Sequence, residues 1–190
     1  MKILLGIPCG GTVKTSLLTT VVEALFHAPC PIVLMVKEGC LVHESRNEMA
    51  RQALIGGFTH LWMVDSDIEF SSDTLSNLLK NDKDIVGAAY NYRTLPLHST
   101  VKMKTEAGFV EPEEMPKVPF ACHSLGTGCI LIKTEVFKKI PVPWFNFSYD
   151  NNGMMTETED TYFCRQASES GIETWCDPTI KIGHIGDYVY

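Results

Sequence analysis

Two hydrophobic rhythms alternate along the first ninety residues. Apolar runs of strand length occupy Ile3 to Pro8, Ile32 to Val36 and His60 to Val64, and a fourth strand is predicted from Asp84 to Tyr90. Runs apolar at every position mark strands covered on both faces. Between them the apolar residues fall at helical spacing. Leu18, Val21, Val22 and Leu25 predict an inward stripe on a helix over 17–26, ended at Ala28-Pro29. Met49, Ala50, Ala53 and Leu54 predict a second helix over 44–55, with Ser45-Arg46-Asn47 in its first turn and Gly56-Gly57 closing it. Leu75, Leu78 and Leu79 predict a short third helix capped by Ser71 or Ser72. Strand–helix alternation of this kind predicts an α/β fold, a mostly parallel central sheet flanked by helices.

The pattern changes after Tyr90. Residues 91–118 read as an exposed hairpin and loop insertion, with Thr100 to Lys104 strand-like. Gly126-Thr127-Gly128 then leads into a buried strand, Cys129 to Ile132, and its glycines allow close approach of a ligand or of another strand. Thr134 to Ile140 is a short helix stopped by Pro141. The 141–155 loop carries Trp144, Phe145, Phe147 and Tyr149, rings that either plug a core or stack on a sugar face. Thr156-x-x-Glu159 matches a capping box for a last helix over 156–171, with Gly171 as its C′ residue. Glu159 then has a capping task. Asp160 has none, and a helix N-terminus keeps its carboxylate ionised, as a base or a metal-linked group requires. Thr179 to His184 alternates, placing Ile180, Ile182 and His184 on one strand face.

Candidate chemistry centres on Asp65-Ser66-Asp67, where the third strand stops. Alternate residues of an extended segment point the same way, so both carboxylates can meet one hard cation, or one cation and a ligand hydroxyl. Ligands of parallel α/β sheets bind beyond the carboxyl ends of strands, and Pro8-Cys9 lies at another such end. Arg46, near a helix N-terminus whose dipole it opposes, suits an anion better than it suits the helix. The loop after Pro8 is not a P-loop, because Thr12 and Val13 stand between Gly11 and Lys14-Thr15.

Composition narrows the classes. Sixteen basic against 23 acidic residues give a formal charge of −7 with no Lys/Arg cluster, which argues against a nucleic-acid or anionic-membrane footprint. Seven cysteines without a C-x-x-C pair fit neither a zinc site nor a disulfide framework. Reduced thiols in a soluble, cytoplasmic protein are expected, with Cys40 and Cys164 as core fillers. The 190 residues fit one domain.

Together, the opening strand to Pro8, Ser45-Arg46-Asn47, Asp65-Ser66-Asp67, Gly126-Thr127-Gly128, Glu159-Asp160 with Phe163-Cys164-Arg165, and Trp175-Cys176-Asp177 before Gly183-His184-Ile185-Gly186 resemble a nucleotide-sugar-dependent glycosyltransferase of the GT-A fold. The likeness is to the family-two-like group, and most of all to its small phage, viral and bacterial members. The resemblance implies a nucleotide-diphosphate sugar donor held by Pro8, Cys9, Arg46, Asp65, Ser66, Asp67, Gly126 and Gly128. It implies Mn²⁺, or Mg²⁺, on Asp65, Asp67 and His184, with Asp67 the most direct ligand. It implies Asp160 as the base with Glu159 beside it, and an unknown hydroxyl acceptor, such as a glycan, a lipid-linked sugar or a protein glycan. Two rivals share the pattern: a nucleotidyltransferase, which would bring a more basic first loop, and a non-catalytic module that binds nucleotide sugars.

Overall fold

The computed structural model describes residues 1–39, 41–106 and 108–186. In chain order it forms β1 (Ile3–Cys9), α1 (Thr15–His27), β2 (Ile32–Glu38), α2 (Val42–Ile55), β3 (His60–Val64), β4 (Ile68–Phe70), α3 (Thr74–Lys80) and β5 (Ile85–Ala88). A hairpin follows, β6 (Met103–Thr105) and β7 (Gly108–Val110), then β8 (Phe120–Cys122), β9 (Cys129–Lys133) and α4 (Val136–Lys139). The chain closes with β10 (Ser148–Tyr149), β11 (Met155–Glu157), α5 (Glu159–Glu169), β12 (Thr174–Asp177) and β13 (Ile182–His184).

Seven strands make the central sheet in the order β2-β1-β3-β9-β5-β12-β8. Strands β1, β2 and β3 run parallel, as do β5 and β12, while β9 is antiparallel to both β3 and β5, and β8 to β12. The sheet is thus mostly parallel. Its inner strands β1, β3, β5 and β9 are largely apolar because both faces are covered. Leu4, Leu61, Met63, Ile85, Ile130 and Ile132 enter one core with α2, α4 and α5, whereas Ile3, Leu5, Trp62, Val64, Val86 and Leu131 enter the other with α1 and α3. Close packing fixes residue size here. A Cβ on Gly6 would lie 2.7 Å from Met49 Sδ. Among the described residues no helix is long and apolar enough to cross a membrane.

Three expectations about packing fail. The inward stripe of α1 is Leu17, Val21 and Ala24, while Leu18, Val22 and Leu25 are exposed. Both triplets have helical spacing, and only the position of the sheet selects between them. Strand β2 is not buried: it lies at the sheet edge, with Val33, Leu34 and Val36 exposed. Helix α2 begins at Val42, so Ser45, Arg46 and Asn47 sit one turn inside it, buried. Cys164 fills core as expected and burial pushes its thiol up to about 12; Cys40 lies outside the described residues. No disulfide joins Cys9, Cys30, Cys122, Cys129, Cys164 or Cys176.

The aromatic loop divides. Trp144 and Phe145 plug the core, Phe145 stacking on Phe163 with centroids 4.7 Å apart, whereas Tyr149 is exposed. Asn47 holds the plug in place. Its Nδ2 donates to Phe145 O at 2.7 Å, and its Oδ1 accepts from the Trp144 and Phe145 amides at 3.0 and 3.1 Å. Asn47→Ala therefore leaves three buried backbone groups unpaired, and the expected loss is about 3 kcal/mol. Urea denaturation reads it directly. A loss below about 1 kcal/mol would mean that the loop re-pairs with water.

Candidate functional site

Parallel ends bring the first strand and the Asp-x-Asp segment together. Pro8, Cys9, Asp65, Ser66 and Asp67 share a recess of about 240 Å³ with Gly10, Gly39 and Val42. Register places the rest. Strand β13 pairs with β4, His184 opposite Ile68, and the Ile185 amide donates to Asp67 O at 2.8 Å, which sets His184 beside Asp67. Their side chains face each other, His184 Nε2 3.5 Å from Asp67 Oδ2.

The other imidazole nitrogen determines what that contact means. His184 Nδ1 lies 2.9 Å from Asn91 O, and a carbonyl oxygen can only accept, so Nδ1 carries the proton. A neutral His184 would then aim a lone pair at a carboxylate. Either His184 is protonated or a cation stands between the two. The pairing favours the protonated form: the bond to Asp67 raises the His184 pKa above the ordinary imidazole value, against the effect of burial. Burial would raise Asp67, yet the bond to His184 and the charges of His184 and Arg93 hold it below the usual carboxylate value. Arg93 Nη1 is 2.9 Å from Asp67 Oδ2.

Asp65 faces elsewhere. Its Oδ1 accepts from Arg46 Nη2 at 2.9 Å, and Arg46 Nε is 3.5 Å from Glu159 Oε1. Arg46 is 3% exposed. Burial would lower its pKa, but Asp65 and Glu159 raise it, so the guanidinium is a fixed cation. Glu159 is raised by burial, with Arg46 opposing and Asp160 reinforcing. Arg46 thus positions the Asp65 and Glu159 carboxylates.

The capping box is a correction. Thr156 belongs to β11, and α5 starts after Thr158, so Glu159 is a first-turn residue ion-paired with Arg46 and does not cap the helix. Asp160 Oδ1 accepts from the Thr161 amide at 2.8 Å and from Thr158 Oγ1. Gly171 does close the helix, at φ +75°.

The glycines at 126 and 128 are needed for Tyr90. A Cβ would lie 2.3 Å from the Tyr90 hydroxyl at Gly126 and 2.7 Å at Gly128, where it would also stand 3.1 Å from Asp65 Oδ2. The Gly128 amide donates to Tyr90 Oη at 3.0 Å, and Gly128 O accepts from the Asp65 amide at 2.9 Å. Tyr90 also meets His184 edge to face at 5.3 Å. Burial, then the Asp65 and Asp160 charges, push its hydroxyl well above the usual value. The sequence reading missed Tyr90 and Arg93. Two glycines bracketing one residue before a buried strand are the only trace of the ring, and Arg93 leaves none.

Among the described residues no three His, Cys, Asp or Glu side chains close a metal site. Asp67 and His184 supply two donors of one carboxylate and one imidazole, with Nε2 left as the ligating nitrogen by the Asn91 bond. That pair of donors is chemically suited to a divalent ion that would take its remaining ligands from outside the protein.

No protein-family model and no curated protein sequence matches the chain. Among solved structures it is similar to A197 from STIV, with a TM-score of 0.67 and 22% identity over 98% of this chain and 87% of that one. It is also similar to the inositol-1-phosphate CTP transferase from T. maritima, with a TM-score of 0.51 and 12% identity over 97% and 88%. At such identities the likeness is one of fold, a mostly parallel sheet between helical layers.

Removing Arg46 should expose what it offsets. Arg46→Met is expected to destabilise by about 3–5 kcal/mol, the cost of stranding buried partners, and adding Glu159→Gln should return part of it. The sign in pH follows. Without Arg46 the folded Glu159 pKa climbs further above its unfolded value, so the ionised carboxylate is penalised above that pKa and relieved below it. The deficit against wild type should shrink as pH falls from about 7.5 to about 5, read by chemical denaturation. An equal deficit at both pH values would count against an electrostatic role.

Proposed function

We propose that the chain is a metal-dependent glycosyltransferase that moves a sugar from a nucleotide-diphosphate sugar to a hydroxyl acceptor. One observation carries the reading: Asp67 and an imidazole with its ligating nitrogen fixed face each other at the carboxyl end of a parallel sheet, beside the recess of Pro8, Cys9 and Asp65. Mn²⁺ or Mg²⁺ held by Asp67 and His184, with Asp65 near, would neutralise the diphosphate; the nitrogen ligand favours Mn²⁺. The recess holds the nucleotide, Asp65 its ribose and the Pro8-Cys9 loop its base. Gly126 and Gly128 keep the floor low and hold Tyr90 in place.

Asp160 is the base. In the transfer the acceptor oxygen bonds to the anomeric carbon as the bond to the diphosphate oxygen breaks. The electron pair leaves with the diphosphate and the hydroxyl proton goes to Asp160. Thr158 and the Thr161 amide fix the carboxylate oxygen that takes no proton, leaving the other oxygen for the acceptor. A nucleotidyltransferase would instead release pyrophosphate from a nucleoside triphosphate, and a binding module would turn over nothing.

Metal binding should compete with protonation of His184. Because the His184 pKa is raised, Mn²⁺ affinity measured by calorimetry should be weakest below about pH 6.5 and strengthen as pH rises through the His184 pKa. Affinity independent of pH would remove His184 from the metal.

Three variants divide the labour. Asp67→Ala should cost about 100-fold in transfer, near 3 kcal/mol of transition-state stabilisation. His184→Ala should recover part of its loss as Mn²⁺ is raised. Asp160→Asn should bind metal and donor like wild type, transfer slowly, and gain nothing from added Mn²⁺. If Asp160→Asn and His184→Ala respond alike to Mn²⁺, the base assignment is wrong.

A further inference from the structure

A cavity of about 1240 Å³ lies between the 89–99 loop and the 178–186 segment. It shares Arg93 and His184 with the contacts of Asp67, while Asp67 itself lines the smaller recess. Among the described residues its lining includes Arg93 and Lys181 and no carboxylate. In a chain with 23 acidic residues against 16 basic ones, a concave surface whose described lining carries two cations and no acid departs from the overall balance.

Both cations are held at the cavity. Lys181 Nζ donates to Pro178 O at 2.9 Å. Arg93 is half exposed and pairs with Asp67 through Nη1, and a guanidinium carries five N–H donors in a planar fork. Tyr90, Tyr92 and Ile182 add aromatic and apolar wall.

We propose that this cavity is the acceptor subsite and that it selects an acceptor bearing a phosphomonoester, whose near-double negative charge at neutral pH matches Arg93 and Lys181. The inference rests on the nucleotide-sugar reading for the word acceptor. The phosphate is the handle, and a hydroxyl of the same molecule is the nucleophile. Such a handle occurs on soluble sugar phosphates and on phospholipid headgroups alike.

Binding tests it without donor or turnover. Phenyl phosphate and neutral phenyl β-glucoside are titrated into the full chain and followed by NMR, with UDP plus Mn²⁺ titrated separately. Phenyl phosphate should bind at least about tenfold more tightly than the glucoside, as charge-assisted contacts require. Lys181→Ala should remove most of that margin, Lys181→Arg should keep it, and both should bind UDP and Mn²⁺ as wild type does. Equal binding of the two probes, or a margin untouched by Lys181→Ala, overturns the proposal. So does loss of UDP binding in Lys181→Ala, which would make the cavity part of the donor site. If phenyl phosphate binds as expected while UDP, GDP, CDP and TDP with Mn²⁺ all fail, the donor reading falls and the acceptor role with it, though the anion site stands. Two further arms identify the source, both supporting the site. Cosedimentation with phosphatidylcholine vesicles containing phosphatidic acid, lost in Lys181→Ala, assigns a lipid, and competition by glucose 6-phosphate without cosedimentation assigns a soluble acceptor.

Discussion

A buried arginine is the constraint on which the site depends. Arg46 is inside α2, one turn from its start, and reaches Asp65 at the end of β3 and Glu159 at the start of α5. Three elements distant in sequence are thereby tied at one point. A guanidinium out of water is tolerable only with carboxylates to face it, and each carboxylate is tolerable there only with the guanidinium. Asn47, the next residue, anchors the Trp144–Phe145 plug by hydrogen bonds. The same turn of α2 therefore sets both the polar centre and the aromatic core beneath it.

Charge is arranged in two layers around this point. Arg46, Asp65 and Glu159 form an inner, ion-paired group. Asp67, His184 and Arg93 form an outer one, more exposed and open to exchange partners. Tyr90 stands between them, hydrogen-bonded through Gly128 to the Asp65 backbone and edge-on to His184. Asp65 and Asp67 point different ways despite their i, i+2 spacing, because the turn after Val64 breaks the strand alternation.

Much of the framework was readable in the chain. Continuous apolar runs announced a sheet covered on both faces, and the strand ends announced where Pro8, Asp65 and Asp67 would meet. Edge position was not readable, because Ile32 to Val36 is as apolar as β1, and only pairing determines which strand has a single neighbour. The stripe of α1 failed for a like reason: Leu17, Val21 and Ala24 compete with Leu18, Val22 and Leu25 at the same period. The Thr156–Glu159 box failed because Glu159 had a stronger partner, a buried cation 113 positions earlier, which no local rule can see. Gly126 and Gly128 signalled close approach, but not that a ring from β5's end would be what approaches.

Strand β9 runs against its neighbours, and this has a geometric result. Its entry, the Gly126–Gly128 segment, comes up at the same end of the sheet where β3 and β5 finish. The carriers of Asp65 and Tyr90 are consequently kept two strand spacings apart, roughly 9–10 Å, by backbone hydrogen bonding alone. Side chains on the rim can be exchanged without altering that width. The gauge of that gap belongs to the topology, and selection can retune the side chains around it while the frame stays still.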